Sequence, residues 1–479
     1  LQAESSRGPA QPGFTASEFF FRIANMPDHR ATYTVVAPRG MGMKVDAHGL
    51  QVPAPVVKGD EEVFTYEMRK VPPFIPEPDS PPSAREYLPF VVVGAGTTGN
   101  DRLVAAYADA FLDKGALNWE VEAFAREAAE GKSGLDAVKA LYAAVMKRFS
   151  GRDAGLTQSA ASSVAQDRGS RLWLLKAGLE SLGIPARLVA VRTFSADPAD
   201  YLFPEESLLP YMALRAEVPG EGPVWLDTTT RFAPFGELPD SALGERDAYL
   251  LPEPGRALEK VKTPPVKQQP GKLVKLALEV DERGQLMGKG EEQYTGFDAA
   301  QLAEAFEAIS GERRRQALQS AVGRYFSGAE LTDLKLERTE EVGAPFTVRY
   351  AFKASGFARA DKDKLVLPPI TMPASLGRQY VQLSTRTTPL YIDDTEASRT
   401  VVTLTMPQGF RLADPQAQLK VEGAFGRLLR TEKQEGRTLT LDETLRVERA
   451  RIPVKQYEDF AHFAGEVDLV QARDLVLVK

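Results

Sequence analysis

Two proline-rich stretches cut this chain into three lengths with different hydrophobic rhythms. That division limits its fold more than any other feature. The first is Val71-Pro72-Pro73-Phe74-Ile75-Pro76-Glu77-Pro78-Asp79-Ser80-Pro81-Pro82. The second is Thr263-Pro264-Pro265-Val266-Lys267-Gln268-Gln269-Pro270-Gly271. Proline fixes φ and lacks a backbone donor, so neither stretch suits a helix interior or a central strand.

Ahead of the first stretch, Phe19-Phe20-Phe21-Arg22-Ile23, Ala31-Thr32-Tyr33-Thr34-Val35-Val36 and Glu62-Val63-Phe64-Thr65-Tyr66 read as strands rich in aromatic and β-branched residues. The apolar run Phe90-Val91-Val92-Val93 follows it. Residues 100–149 then turn helical. Leu135, Val138, Leu141, Val145 and Phe149 recur at three- and four-residue steps, with Ser133 placed to cap. A second helix is predicted over 171–182, with Leu172, Leu175, Leu179 and Leu182 on one face and Gly183 ending it. Strands are expected at 187–191, 211–218 and 224–226.

Beyond the second stretch, residues 347–352, 400–405 and 438–446 read as strands, with one helical insert from about 298 to 326. Met406-Pro407-Gln408-Gly409 and Gly436-Arg437 mark turns. Many short strands with turns between them suggest a β-sandwich. The expected class is α+β. Its divisions are 1–97, an incomplete N-terminal β-sandwich; 98–262, a mixed core; 263–271, a linker; and 272–479, a β-rich domain.

Composition removes several chemistries. The chain has no cysteine, which excludes thiol nucleophiles, disulfides and cysteine–zinc sites. His29, His48 and His462 are its three histidines, too dispersed to form a ligand motif. No metal and no cofactor is expected. A net charge of −7 argues against nucleic acid as a partner. No run of 18 or more apolar residues offers a membrane-spanning helix. Residues 1–13 lack the basic start and apolar core of a signal peptide, and a first residue other than Met suggests part of a longer product.

Two glycine motifs invite nucleotide readings. Gly94-Ala95-Gly96-Thr97-Thr98-Gly99 fits GxGxxG between an apolar strand and a helix. A dinucleotide site also needs a βαβ unit and an acid about 20 residues on, where the chain has the polar stretch around Lys114-Gly115-Ala116. A loop leaving the first domain is favoured, with NAD or flavin binding a lesser alternative. Gly131-Lys132-Ser133 has Arg126 where a P-loop needs its first glycine, and reads as a turn with a capping serine.

The middle length resembles the transglutaminase-like superfamily. Leu174-Leu175-Lys176-Ala177-Gly178-Leu179-Glu180-Ser181-Leu182-Gly183-Ile184-Pro185-Ala186-Arg187 is similar to the helix and exit turn that follow the family's cysteine. Trp225-Leu226-Asp227-Thr228-Thr229 is similar to the segment holding its aspartate, and Phe235-Gly236-Glu237-Leu238-Pro239 to the tail beyond. In the last length, Leu367-Pro368-Pro369, Arg386-Thr387-Thr388-Pro389-Leu390, Met406-Pro407-Gln408-Gly409-Phe410 and Ile452-Pro453-Val454-Lys455-Gln456-Tyr457 resemble a β-rich domain of a bacterial group. In that group a papain/transglutaminase-like core sits between two such domains.

The resemblance implies a Cys-His-Asp triad that has decayed. Counting without a gap puts Arg168 at the nucleophile position, Tyr211 at the histidine and Asp227 at the aspartate. With a two- or three-residue deletion, Ser170 or Arg171 takes the nucleophile position instead. A guanidinium has no lone pair to attack with, and a tyrosine of ordinary pKa is a poor base at neutral pH. No catalytic residue is therefore expected. An Arg168–Asp227 ion pair is the expected closure of the site. Ser170 is the alternative nucleophile, native or engineered, although a helix N-cap role is favoured. The implied protein is an inactive member that binds protein partners in the bacterial envelope, in the periplasm by analogy with exported relatives. A hydrolase or acyltransferase using Ser170 is the alternative.

Overall fold

The computed structural model describes residues 14–111, 113–149, 155–266, 271–337 and 343–479. The first length forms two small antiparallel sheets of three strands. One orders Phe19–Phe20, Phe90–Gly94 and Lys44–His48; the other orders Asp28–Pro38, Glu61–Val71 and Val56–Lys58. Phe21, Tyr66, Val91 and Val93 form the core they share. The first predicted strand is shortened to Phe19–Phe20, while the apolar run at 90–93 is a fully buried strand. That strand pairs antiparallel on both sides, so Gly94 does not end a βα unit of a parallel sheet. A Cβ on Gly94 would meet Phe203 and the Phe14 carbonyl, and this close approach is the reason for glycine.

The middle length opens with five helices: α1 (Asn100–Phe111), α2 (Trp119–Ala129), α3 (Gly134–Arg148), α4 (Ala160–Gln166) and α5 (Arg171–Ser181). The side chain of Asn118 accepts from Val121 N at 2.9 Å and starts α2. Ser133 stands at the start of α3 without a side-chain capping bond. The expected apolar stripe on α3 is buried, and Tyr142 joins it. Helix α5 is apolar nearly all round, and every residue from Arg171 to Leu179 is buried. Gly178 lets α2 and α3 close on it, since a Cβ there would lie 2.9 Å from Leu141 and 3.4 Å from Ala125. Ile184 N donates to Leu179 O at 2.9 Å and closes α5 around Gly183, whose φ is +74°.

A five-stranded antiparallel sheet packs beside α5. Its order is Glu259–Lys262, Asp247–Leu250, Ala186–Val191, Tyr211–Val218 and Gly222–Leu226. The first two strands were not foreseen. Leu188, Ala190 and Leu214 face the helices, and Val189, Val191 and Ala213 line the opposite face.

The last length centres on one eight-stranded sheet rather than a plain two-sheet sandwich. Its order is Ala329–Glu337, Phe346–Ala354, Leu286–Tyr294, Lys272–Val280, Glu396–Thr405, Thr438–Val447, Gly426–Glu435 and Gln418–Gly423. The pairing of Lys272–Val280 with Glu396–Thr405 is parallel. The expected single helical insert is two helices, α6 (Gly296–Glu307) and α7 (Gly311–Tyr325), because the Ser310 side chain accepts from Arg313 N and restarts the helix. Both pack into a core with the eight-stranded sheet and a smaller sheet that includes Lys364–Leu367 and Leu475–Val478. The short α8 (Leu376–Tyr380) and the unforeseen α9 (Tyr457–Gln471) cover residues of the strands at the 418–447 end of the large sheet. The expected linker 263–271 lies partly outside the described residues; Thr263 is buried and its hydroxyl accepts from Arg246 N at 2.9 Å.

The first proline-rich stretch straps the first length to the last. The Glu77 carboxylate accepts from Thr387 N at 2.7 Å, Thr387 Oγ1 at 2.6 Å, Thr388 N at 3.0 Å and Thr388 Oγ1 at 2.7 Å. Arg386 donates to Pro78 O at 2.7 Å, and Tyr391 N to Asp79 O at 2.7 Å. Arg451 grips Glu86 with both branches, at 2.8 and 3.2 Å. The Arg386-Thr387-Thr388 sequence is thus a receptor for the strap.

Burial pushes the Glu77 carboxyl upward, but the hydrogen bonds from Thr387 and Thr388 outweigh it and leave the pKa below its ordinary 4.5. The stabilisation this gives is present above pH 4.5 and fades as pH falls through the lowered value. Glu77→Ala is expected to remove on the order of 1–3 kcal/mol and to speed proteolytic cutting of residues 73–89 at pH 7. The difference from wild type should shrink in acid. Unchanged urea unfolding and cutting rates at pH 7 would refute the strap.

Candidate functional site

The family-like aspartate sits where the edge strand Gly222–Leu226 ends against α3. Asp227 is fully buried. Tyr211, on the neighbouring strand, donates its phenol to Asp227 Oδ2. Thr229 donates to Asp227 Oδ1 from its backbone N and from its hydroxyl, both at 2.8 Å. Tyr142 of α3 holds the backbone behind them, its hydroxyl 2.7 Å from the Asp227 carbonyl and 2.9 Å from that of Ala233. The structure therefore joins Tyr211 to Asp227, two of the residues singled out from sequence.

It does not join Arg168 to them. Arg168 is exposed and its guanidinium lies 3.5 Å from Gln166 Oε1. The expected Arg168–Asp227 ion pair is absent, because Arg168 lies in the short loop after α4, outside the core. The buried arginine is Arg171, the first residue of α5, close enough for its charge to act on Tyr142 alongside that of Asp227. Arg171 also donates to Phe149 O at 3.4 Å.

Ser170 is fully buried at the N-terminus of α5 and serves as its cap. Its side chain accepts from Trp173 N at 3.3 Å, and its backbone N donates to Ser163 Oγ at 3.0 Å. The preceding Gly169 has φ +144°, and a Cβ there would collide with Ser163. A sharp turn thus delivers the chain into α5 with Ser170 turned to capping.

Burial dominates the electrostatics of this site. Burial drives the Tyr211 phenol well above its ordinary value of 10.0, and the Asp227 charge drives it further. Burial also raises the Asp227 carboxyl above 3.8, against the hydrogen bonds from Tyr211 and Thr229 that pull it down. A phenol held protonated in this way offers no base at neutral pH. The histidines lie elsewhere: His29 on Asp28–Pro38, His48 against Asp46 at 3.0 Å, and His462 on α9. Among the described residues no group of three or more histidines and carboxylates could hold a metal, and no helix is long and apolar enough to cross a membrane.

Sequence reasoning missed Tyr142 and Thr229. Tyr142 carried a signal: it falls four residues after Val138 and three before Val145, on the apolar face of α3, where a hydroxyl must find a partner. Thr229 carried a weaker one, since a threonine two residues after an aspartate is placed to bond its carboxylate.

A raised carboxyl binds its proton more tightly in the folded chain. Its contribution to stability is present below pH 3.8 and is lost as pH rises through the raised value. Asp227→Asn removes that dependence. Over pH 4–7 the wild type is expected to lose more stability than the variant, with a slope difference of at most about 1.4 kcal/mol per pH unit. Parallel stability curves from denaturant titrations would contradict the raised value.

Comparison with known proteins extends this picture. A family model described as a domain of unknown function with a solved structure, DUF3858, matches residues 363–477. No curated protein matches the chain. Among solved structures, the fold is similar to that of a "putative protease" from Parabacteroides distasonis. That similarity has a TM-score of 0.57 at 13% identity and covers 99% of this chain and 77% of the other.

Proposed function

We propose that residues 98–262 are a transglutaminase-like core without a working triad, set between a partial N-terminal β-sandwich and a C-terminal β-rich domain. The protein then acts as a catalytically inactive protein- or peptide-binding module in assembly at the bacterial cell envelope, on the periplasmic side. One observation carries the reading. The only triad-like carboxylate, Asp227, is fully buried and bound by Tyr211 and Thr229, in a chain without cysteine. In a triad, losing the nucleophile alone removes on the order of a millionfold in rate. A fold kept after that loss retains its surfaces and its stability, which is what a binding module requires. The envelope location rests on the family resemblance.

The alternative is a hydrolase or acyltransferase with Ser170 as nucleophile. Its support is the position of Ser170 at the N-terminus of α5, where the helix dipole favours a developing negative charge. Against it stand the full burial of Ser170, its capping bond and the lack of a base beside it.

Two measurements decide between them. Treatment with a fluorophosphonate probe, followed by peptide mass spectrometry, is expected to leave Ser170 unmodified. An adduct on Ser170 that disappears in Ser170→Ala would establish the alternative. Cross-linking and affinity purification from the protein's own cells is expected to recover a stoichiometric partner cross-linked to residues 98–262. Recovery of the chain alone, with efficient cross-linking inside it, would sink the binding reading.

A further inference from the structure

Phe194 follows the strand Ala186–Val191 and is the hub of an arginine cluster. The guanidinium carbons of Arg246, Arg449 and Arg451 lie 5.0, 5.1 and 4.9 Å from its ring centroid. Tyr391 stacks on the same ring at 5.7 Å. Each pair of these cations is therefore within roughly a Debye length, and Arg192 adds its charge to those acting on Arg246.

Three of the four arginines have acceptors. Arg192 donates to Asp200 Oδ1 at 2.8 Å and to Asp197 O at 2.6 Å. Arg449 donates to Leu243 O at 2.7 Å and faces the Asp240 carboxylate at 3.3 Å. Arg451 holds Glu86 and donates to Phe194 O at 2.6 Å. Arg246 differs. It is half-buried, forms no side-chain hydrogen bond or ion pair among the described residues, and has its Nε buried without a partner. Burial and the neighbouring arginines both press its pKa down, which marks a cation held where a cation is disfavoured.

The Phe194 ring is the partner that holds the Arg246 guanidinium in place. The Arg246 backbone N is fixed by Thr263 Oγ1 at 2.9 Å, and the next residue's carbonyl accepts from Arg192 N at 2.9 Å. The side chain is thus aimed by the end of the five-stranded sheet and backed by an aromatic ring. A guanidinium presents a planar fork of donors that matches a carboxylate or a phosphate. The surrounding positive field raises the local concentration of such anions.

We propose that Arg246 is the open position of an oxyanion site, which takes a carboxylate or phosphate group from a ligand or partner. The site lies on the seam where the five-stranded sheet, the 73–89 strap and the C-terminal length meet through Glu86, Arg246 and Arg451. It stands independently of the transglutaminase-like reading. Occupation gives an acceptor to the one arginine of the four that has none among the described residues, at the seam of the three lengths.

The test uses thermal unfolding of the full chain, its Arg246→Gln variant and its Arg246→Lys variant. Each is measured in sodium chloride, sodium phosphate and sodium succinate at matched ionic strength. Phosphate or succinate is expected to raise the wild-type midpoint saturably by several degrees over chloride. Arg246→Gln should lose that response and, in chloride alone, unfold at or above the wild-type midpoint, because the unpaired charge is gone. Arg246→Lys, which keeps the charge without the fork, should respond more weakly than wild type. It carries the comparison if the glutamine variant does not fold. A response to phosphate alone assigns a phosphate-bearing ligand, and a response to succinate alone a carboxylate-bearing one. The proposal is overturned if neither anion exceeds matched chloride, or if wild type and both variants respond equally.

Discussion

Everything in the middle of this molecule depends on burying α5 on all sides. A helix with leucines at positions 172, 174, 175 and 179 and a tryptophan at 173 has no face to offer water. It must be wrapped, and α2, α3 and α4 with the five-stranded sheet wrap it. Burial of that kind drives the fold at roughly 25 cal/mol per Å² of apolar surface. It also dictates what polar groups can survive nearby. Lys176 bonds Glu180 at 2.6 Å and Glu253 at 3.1 Å, Ser170 caps the helix, and Arg171 reaches a backbone carbonyl. The Asp227 cluster is the same rule at its most demanding, since a buried carboxylate persists only where donors surround it.

That demand explains the arrangement of side chains around Asp227. Tyr211 donates its phenol to one oxygen of the carboxylate. Thr229 and Tyr142 then fix the carboxylate and its backbone from two further sides. Both carboxylate oxygens are thus bonded and the group is fully buried.

Much of this was legible in the chain and some of it was not, for definite reasons. The α3 stripe, the α5 helix and the strands at 187–191 and 211–218 sit where expected, although α5 is buried on all sides and not on the one face its leucine spacing suggested. Asp247–Leu250 and Glu259–Lys262 are short and flanked by charge and proline, so tertiary pairing, not local pattern, makes them strands. Helix α9 did carry a helical stripe, Phe460, Phe463, Ala464, Val467 and Gln471, masked by the strand-like Ile452-Pro453-Val454 ahead of it. The expected Arg168–Asp227 ion pair failed because sequence spacing could not show that Arg168 stays exposed in the loop after α4 while Asp227 is buried. The arginine cluster could not be read at all, since 192 and 246 meet 449 and 451 only when the middle and last lengths of chain are assembled.

The parallel pairing in the eight-stranded sheet has a consequence for how the protein is made. Lys272 is matched with Ser398, while the strand's other edge is already taken by its hairpin mate Leu286–Tyr294. During synthesis that hairpin emerges first and waits, with one long edge of unpaired backbone groups, until more than a hundred further residues have left the ribosome. Its alternate residues, Val274, Leu276 and Leu278, share their core with α6 and α7, which emerge next, and with Val402 and Leu404, which come only later. The C-terminal length is thus completed by a late, long-range pairing, the kind of contact that slows folding.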